Sequence, residues 1–379
     1  METVRLRAVL SRCVRAHGLG EPVAGVEEAT LRASGVYGAT PTCYLSMAAR
    51  VTGFAIRALD DALYERRTLV RIPAMRHSGY MMTVGLVPHG LALAASTGGG
   101  RWLLPALQRG GLTEASIGTF VVAIEALLRG GPRTAAEIRK GLKGWREPFP
   151  GALGLLLRSM SHSGRIVATR VRGGWRSQLY EYALLRDWVA APQTLPTLVA
   201  ALRKLAPLYF DANGPATLAD FAWWAGVPET TAKEALAKLE LESVLIDKLK
   251  GIHLATRESL DDLASEPEAG SLALLPVWDA YMMAHTERRR YLDPKWRDRV
   301  VDRSGNVTNV VLRDGRVVGL WDVHDDTLRF APFEPIKVRE LHGAVERLRG
   351  VFEIRNLVEA RVPGPLSDRG QNAFMAPLR

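Results

Sequence analysis

Three stretches of the chain repeat one pattern, in which apolar residues at helical spacing are followed by two short strand-like runs. The middle stretch shows it most clearly. Its first helix ends at Gly130-Gly131-Pro132, and Thr134 with Glu137 three residues later forms a capping box that begins a second helix. The third helix carries apolar residues at i, i+3, i+4 and i+7, namely Leu153, Leu156, Leu157 and Met160. Two strands then flank the Gly173-Gly174 turn, and this order predicts a winged helix-turn-helix.

The same order occurs on both sides of the middle stretch. Residues 195–256 predict three helices and a tight hairpin, and residues 1–110 predict helices followed by a hairpin that turns at 76–79. An acidic, turn-rich linker covers 257–271, after which alternation by twos around Asp314-Gly315 predicts a type I′ hairpin, a second hairpin and a final helix near 338–349. We therefore predict an α+β fold of tandem winged helix-turn-helix domains with a C-terminal antiparallel β-rich domain. The predicted domains are 1–115, 116–192, 193–262 and 263–379.

Composition and charge narrow the class of protein. With 47% hydrophobic and 24% charged residues the chain is globular, and its net charge of +10 favours a polyanionic partner such as duplex DNA, although a merely basic protein is the alternative. The two cysteines, Cys13 and Cys43, offer neither a disulfide framework nor a CxxC metal site. The N-terminus alternates charged and apolar residues, and no run approaches the ~18 apolar residues that span a bilayer. We expect a cytoplasmic protein associated with the nucleoid.

Two groups of basic residues are candidates for phosphate contacts. The first surrounds Trp175, which at a glycine turn can wedge or stack against bases. It comprises Arg139, Lys140, Lys143, Arg146, Arg165, Arg170, Arg172 and Arg176. The second precedes the C-terminal hairpins and comprises Arg288, Arg289, Arg290, Lys295, Arg297, Arg299 and Arg303. The alternative is a solvated charged face with Trp175 folded over its own hairpin, whereas Trp223 and Trp224 belong to an apolar helix and are expected in the core.

Several classes of enzyme find no support in the motifs. The eight histidines form no HxH, HExxH or HxxxH pair, so two imidazoles are not aimed at one metal ion. The chain also has no phosphate-binding GxxxxGK[ST], no strand-anchored GxGxxG and no GxSxG nucleophile elbow. A metal-dependent, nucleotide-driven or serine-hydrolase mechanism is therefore not predicted.

Four strings carry a resemblance to a known family. They are GPATLADFAWWAGV at 214–227, LLPVWDAYMMAHTERRRYLDP at 274–294, VLRDGRVVGLWDV at 311–323 and APFEP at 331–335. They resemble the AlkZ/YcaQ-like winged-helix proteins, bacterial DNA glycosylases that excise bulky alkylated purines, and the resemblance covers nearly the whole chain. It implies tandem winged helices with a C-terminal β-rich domain, double-stranded DNA in a basic channel, and no metal or organic cofactor. Nothing in the sequence implies a protein partner, so we expect a monomer.

One motif that the resemblance implies is missing. The family carries Gln-x-Gln or Gln-x-Asp in the first stretch, where the polar side chains are thought to hold the hydrolytic water or the emerging sugar cation. Counting back from Ala49-Arg50-Val51 places Tyr37, Gly38 and Ala39 at this motif. Ala39 has no group that orients water, and the phenol of Tyr37, with an ordinary pKa of about 10, is a poor base at neutral pH. No glutamine precedes Gln108, so a shift of the alignment cannot restore the motif.

The chemistry still permits a weak enzyme, because an alkylated purine is a cationic, activated leaving group. The candidate catalytic positions are Tyr37, Ala39, Thr40 and Thr42, with Tyr44, Glu27 and Glu28 nearby. We predict either a divergent glycosylase with slow excision or a relative that binds lesions and has lost excision. The alternative is a winged-helix transcription regulator without enzymatic activity, which the missing motif favours and the absence of an obvious dimerisation helix or ligand-sensing domain disfavours. A structural DNA-associated protein without lesion preference differs only in specificity.

Overall fold

The computed structural model describes residues 2–96, 100–190, 194–264, 270 and 272–369. Its helices are α1 Leu6–Ala16, α2 Val26–Arg32, α3 Thr42–Ala48, α4 Ile56–Asp60, α5 Val87–Ala95, α6 Leu104–Arg109, α7 Glu114–Leu128, α8 Ala135–Gly141, α9 Ala152–His162, α10 Leu185–Trp188, α11 Leu198–Asn213, α12 Leu218–Ala225, α13 Glu229–Leu236, α14 Arg257–Asp261, α15 Arg297–Val300 and α16 Val338–Leu348. Its strands are β1 Thr3–Val4, β2 Val36–Tyr37, β3 Leu69–Pro73, β4 Gly79–Thr83, β5 Arg133–Thr134, β6 Ile166–Arg172, β7 Leu179–Leu184, β8 Glu242–Ile246, β9 His253–Ala255, β10 Leu272–Leu275, β11 Val310–Arg313, β12 Arg316–His324, β13 Thr327–Pro332 and β14 Asn356–Glu359.

Two compact units divide the chain. Unit 1 comprises Met1–Tyr37, Thr42–Leu59 and Leu205–Arg379, and unit 2 comprises Gly38–Pro41 and Asp60–Lys204. The first sequence segment, 1–115, thus contributes residues to both units. The boundary at 192/193 lies outside the described residues, as does most of 265–271 in the linker. The division into four domains stays a prediction.

Unit 2 contains the middle stretch in the predicted order of helices and hairpin. The capping box is confirmed, because the Thr134 hydroxyl accepts from the Glu137 backbone N–H at 3.2 Å while the Glu137 carboxylate accepts from the Thr134 N–H at 2.7 Å. The apolar stripe of α9 is buried as predicted and packs against Ile117, Ile124 and Leu128 of α7. These contacts form the core of the unit.

The hairpin β6–β7 is part of a larger sheet, which the sequence did not predict. Within unit 2 the strand order is β4-β3-β6-β7-β5, since Arg71 of β3 pairs with Ala168 of β6. Strands β3 and β4 form the predicted antiparallel hairpin, and Arg76 and His77 adopt the left-handed backbone region at its turn, with φ of 50° and 55°. Pairing between β3 and β6 depends on residues almost a hundred positions apart, beyond the reach of local patterns.

Residues 205–256 of the third stretch lie in unit 1 and again show helices followed by a hairpin, while the first residues of α11 belong to unit 2. Helix α12 begins with a second capping box, between Thr217 and Asp220, and ends at Gly226 with φ of 78°. The strands β8 and β9 are antiparallel, and β1 adds to β8 in parallel. Trp224 is buried as expected, whereas Trp223 is only half-buried and lies under the guanidinium of Arg288 at 5.3 Å.

The C-terminal sheet of unit 1 has the order β10-β11-β12-β13-β14. Its first turn matches the predicted type I′ geometry, because Asp314 and Gly315 both have positive φ, 50° and 79°. The second predicted turn joins β12 to β13 at 325–326. Strand β14 pairs with β13 in parallel, a departure from the antiparallel prediction that follows from the helix α16 between them, since a crossover connection returns the chain in the same direction.

Helix length and composition bear on membrane insertion. Among the described residues no single helix is long and apolar enough to cross a membrane, while the bent pair Arg101–Arg109 and Glu114–Leu128 passes that test only when its two helices are taken together.

Candidate functional site

Tyr37, the first position of the missing motif, contacts an aromatic residue that the sequence analysis did not single out. In unit 1 the ring of Tyr37 lies 5.1 Å from that of Trp278, with an angle of 51° between the ring planes. Both side chains are half-buried, so each ring keeps part of its surface in solvent. The indole N–H of Trp278 donates to Asn306 Oδ1 at 3.0 Å, and its backbone N–H to the carbonyl of Val307 at 3.3 Å. Trp278 therefore has a fixed orientation beside position 37.

The residue after Trp278 is anchored in a fully buried ion pair. Asp279 receives two hydrogen bonds from the guanidinium of Arg50, at 2.7 and 2.8 Å, and a third from the Ser46 hydroxyl at 2.7 Å. Neither charged side chain is exposed to solvent. Burial by itself raises the pKa of Asp279, but the charge of Arg50 and the hydrogen bonds from Arg50 and Ser46 hold the pKa below its usual value. The ion pair ties Asp279 to helix α3 and its following turn.

A buried histidine extends this network. His17 Nε2 lies 2.9 Å from Asn213 Oδ1, and its Nδ1 lies 3.4 Å from Arg50 Nη2. Because a guanidinium only donates, Nδ1 is the acceptor and the proton is on Nε2. Burial, followed by the charge of Arg50, lowers the pKa of His17 from 6.5 to about 3. His17 is therefore neutral, and Asn213 continues the chain of hydrogen bonds by donating to Ser34 Oγ at 3.2 Å.

Ala39, the second position of the missing motif, lies in unit 2 beside two further residues that the sequence analysis missed. Its carbonyl oxygen lies 3.5 Å from the Tyr180 hydroxyl, which donates to it. Arg71 is buried, donates to the Tyr64 hydroxyl at 2.9 Å, and lies 5.7 Å from the centre of the Tyr180 ring. Gly38 has no room for a side chain, since a Cβ there would come within 2.7 Å of Met81 Cγ. A phenol hydroxyl thus contacts the backbone carbonyl of the exposed residue Ala39.

The other candidate catalytic residues differ in exposure. Thr40 and Thr42 are half-buried, whereas Tyr44 is buried in α3 and therefore unsuited to meet a substrate. Glu28 forms an ion pair with Arg32 at 2.8 Å on the surface of α2, which is the ordinary role of a surface carboxylate. The threonines remain candidates because both residues are only partly buried.

The basic residues of the middle stretch keep roughly half of their side-chain surface in solvent. Arg165, Arg170 and Arg172 are each exposed by 52 to 53%. Their carboxylate partners are Glu125 for Arg165, Glu65 for Arg170, and Glu181 for Arg172. Of these three pairs, only Arg170–Glu65 has both side chains exposed, and such a pair contributes about 0 to 1 kcal/mol, so a phosphate can replace Glu65. Arg139 pairs likewise with Glu147. The half-buried Trp175 lies under the guanidinium of its neighbour Arg176, at 5.1 Å.

The second basic group is corrected by the structure. Arg288 and Arg290 are buried, with 9% and 2% of their surface exposed, and cannot form part of a phosphate-binding surface. Their guanidinium groups donate to backbone carbonyls, those of Met282 and Gly305 from Arg288 and that of Pro215 from Arg290. Both side chains are buried although they belong to a short 3₁₀ turn, because they supply hydrogen-bond donors to these backbone carbonyls.

The rest of this second group stays at or near the surface. Arg289, Lys295 and Arg299 pair with nearby acids, and Arg297 and Arg303 are exposed. These five residues remain candidates for DNA contacts. Within the described part of the chain, no three His, Cys, Asp or Glu side chains are grouped as metal ligands.

Three comparisons with known proteins agree with one another. A family model described as DNA glycosylase AlkZ-like matches residues 32–351. The chain is 27% identical over 311 residues to a protein described as an interstrand DNA cross-link repair glycosylase from Streptomyces sahachiroi, a match that spans 76% of this chain and 81% of that protein. It is similar in fold to the solved structure of the Streptomyces sahachiroi DNA glycosylase AlkZ, with a TM-score of 0.79 at 21% identity, covering 95% of this chain and 100% of the other.

Proposed function

The chain belongs to the AlkZ-like DNA glycosylase family, and from this premise we propose that it hydrolyses the N-glycosidic bond of bulky alkylated purines in duplex DNA, at a reduced rate. The observation that carries the proposal is the family match over 320 consecutive positions, from 32 to 351, which includes the substituted motif. The cross-link repair activity named for the Streptomyces relative suggests purine adducts that bridge the two strands as one substrate class.

Binding to duplex DNA is supported by charge and by the order of the elements. The net charge of +10 favours contact with phosphates, and Arg165, Arg170 and Arg172 each keep about half of their side-chain surface in solvent, where a phosphate can reach them. We further propose that the two helix-helix-helix-hairpin segments are winged helices whose hairpins lie along the DNA backbone. We expect a monomer in the cytoplasm, and sedimentation of the purified chain tests the oligomeric state.

The reaction breaks the bond between C1′ and the purine nitrogen. Its electron pair neutralises the cationic purine, water forms the new bond to C1′, and the proton of that water passes to solvent. A pair of carboxamides would accept from and donate to the water at once, and these are replaced by the phenol of Tyr37 and the methyl of Ala39. Groups that orient water contribute roughly 10²- to 10⁴-fold in rate, which is the reduction we expect.

The test is single-turnover release of base from a duplex with one bulky N7-alkylguanine, compared with the same duplex without protein. We expect slow release, and faster release by the double variant Tyr37→Gln/Ala39→Gln. Tyr37→Phe is the matched control, because it keeps the ring and removes only the hydroxyl. Full-rate excision that Tyr37→Phe leaves unchanged would show that catalysis depends on other residues. Release no faster than in the protein-free duplex would contradict the glycosylase proposal.

A winged-helix transcription regulator is the second candidate function. The observation that favours it is the loss of both carboxamides at Tyr37 and Ala39. A regulator selects a sequence in undamaged DNA, whereas the proposed glycosylase prefers the lesion in any sequence context. Selection from a random-sequence duplex pool distinguishes the two, since an enriched sequence supports the regulator and no enrichment supports the glycosylase.

A further inference from the structure

At the first motif position, where the family has a glutamine, this chain has Tyr37 beside Trp278. Both residues are half-buried, so an aromatic pair occupies the place of a carboxamide. The two rings lie 5.1 Å apart and are tilted by 51°, so they form an angled aromatic surface and not a closed stack. Each ring keeps solvent-exposed area to which a planar group could be added. An amide would bind a ligand by directed hydrogen bonds, whereas this surface binds by stacking and by the negative potential of the ring faces.

Trp278 is held in a conformation that a bulky residue rarely adopts. Its φ is 60°, in the left-handed region, and unusual backbone of this kind is found where the surrounding structure holds it for a purpose. The surroundings here are specific: Asn306 accepts from the indole, and the next residue, Asp279, is held by Arg50 and Ser46. The buried network thus positions the indole, while the indole itself stays partly in solvent.

The chemistry of the proposed substrate matches this surface. Alkylation at N7 makes a purine cationic, and a cation over the face of tryptophan or tyrosine is attracted by the ring quadrupole. Resting on the proposed function, we propose that Tyr37 and Trp278 bind the cationic alkylated purine by stacking, and that Trp278 determines the preference for the charged lesion over a neutral purine of the same shape. Discrimination then comes from the charge of the lesion and not from hydrogen bonds to its edge.

The experiment separates charge from shape and binding from excision. One duplex contains an N7-alkylguanine whose sugar carries a 2′-fluorine to resist hydrolysis, and a second contains the neutral 7-deaza-7-alkylguanine with the same alkyl group. Affinities for both duplexes and for undamaged duplex are measured at one salt concentration. We expect the wild type to favour the cationic duplex roughly 3- to 30-fold, the range given by cation–π attraction from exposed to desolvated sites.

Two variants of Trp278 and one matched control test the assignment. Trp278→Leu should bring the affinity ratio close to one, and Trp278→Phe should keep part of it because a smaller aromatic face remains. Trp296→Leu is the control. It makes the same change at a tryptophan of unit 1 that stacks on Phe333 at 4.4 Å and not on Tyr37, so it should leave the affinity ratio unchanged. Unchanged affinity of Trp278→Leu for undamaged duplex shows that the variant is folded.

The outcomes distinguish this inference from the proposed function. A wild-type ratio of one, or a ratio that Trp278→Leu leaves unchanged while base release proceeds, overturns the inference alone. If Trp278→Leu does not fold, the single variants Trp278→Phe and Tyr37→Leu replace it. An affinity ratio equal to that of the wild type in both of them overturns the inference. A ratio that depends on Trp278 without release of the hydrolysable base supports the inference and contradicts excision. No binding of any duplex by the wild type overturns both.

Discussion

The hairpin of β6 and β7 in unit 2 has three arginines and the segment 288–303 in unit 1 has six, and the structure uses the two sets differently. Arg170 and Arg172 of the hairpin are about half exposed and pair with the carboxylates of Glu65 and Glu181. In the second segment Arg288 and Arg290 are buried and donate to backbone carbonyls. The density of basic residues therefore does not by itself define a DNA-binding surface, because irregular backbone nearby also requires donors.

The largest expected effect tests the buried side of this comparison. Arg290→Ala removes a buried guanidinium and leaves the Pro215 carbonyl without that donor, so we expect a loss of about 3 kcal/mol in the free energy of unfolding. Urea unfolding measures it. Arg289→Ala is the matched control, because Arg289 is exposed and pairs with Glu287 on the surface, and it should change stability by about 0.5 kcal/mol or less. An equal loss in the free energy of unfolding of the two variants would contradict the different roles assigned to the buried and the exposed arginine.

The exposed side of the comparison is tested by DNA binding. Changing Arg170, Arg172 and Arg176 together to Ala should lower affinity for duplex DNA by about 10- to 100-fold and reduce the slope of log affinity against log salt by about 3, because each released arginine contributes about one counterion. The corresponding triple change to Lys keeps the charge and should keep the slope. Affinity of the wild type that is unchanged between about 50 and 200 mM salt would contradict phosphate-driven binding.

Acid stability sharpens the comparison between the two units. His17 has a folded-state pKa of about 3 against 6.5 when unfolded, so its neutral form stabilises the fold above pH 6.5, and that contribution is lost as the pH falls towards 3. Between about pH 7 and pH 5 the loss from such a group is about 2 kcal/mol. Burial and Arg290 also place the pKa of His285 in unit 1 well below its usual value, whereas His77 and His89 in unit 2 are shifted less and are partly exposed.

Unit 1 should therefore lose stability first on acidification, which thermal melts between pH 7 and pH 5 measure. The groups around His17 are Arg50, Asp279, Asn213 and Arg12, and the lowered pKa of Asp279 keeps that carboxylate charged in this range. His17→Gln can donate to Asn213 and accept from Arg50 without titrating, so it should flatten the pH dependence. An equally steep dependence in this variant would assign the acid sensitivity to other groups.

The smallest expected effect concerns the carboxylates that compete with phosphate. Glu65→Gln removes the partner of Arg170 and should raise duplex affinity by about 2- to 3-fold while changing stability by about 0.5 kcal/mol or less, because an exposed ion pair contributes little. Glu287→Gln, whose partner Arg289 lies in the other segment, gives the parallel measurement. A larger gain from Glu287→Gln would place the stronger phosphate contact in the segment 288–303.

Local patterns predicted the helices, caps and turns well, because the interactions that define them lie within a few residues. The capping box of Thr134 and Glu137, the stripe of α9 and the Asp314-Gly315 turn follow from neighbours in the chain. The substitution of the family motif by Tyr37 and Ala39 was also visible in the sequence alone. The Trp-Asp pair within the family-like string at 274–294 was a signal that could have directed attention to Trp278.

Only the tertiary structure decided which charged and aromatic residues lie together. The contacts of Trp278 with Tyr37, of Asp279 with Arg50 and of Tyr180 with Ala39 each join residues more than a hundred positions apart. Burial separated Arg288 and Arg290 from their exposed neighbours, and the pairing of β3 with β6 joined two hairpins into one sheet. Periodicity reports which face of an element is apolar, but not which distant element covers it, since that depends on the packing of the whole chain.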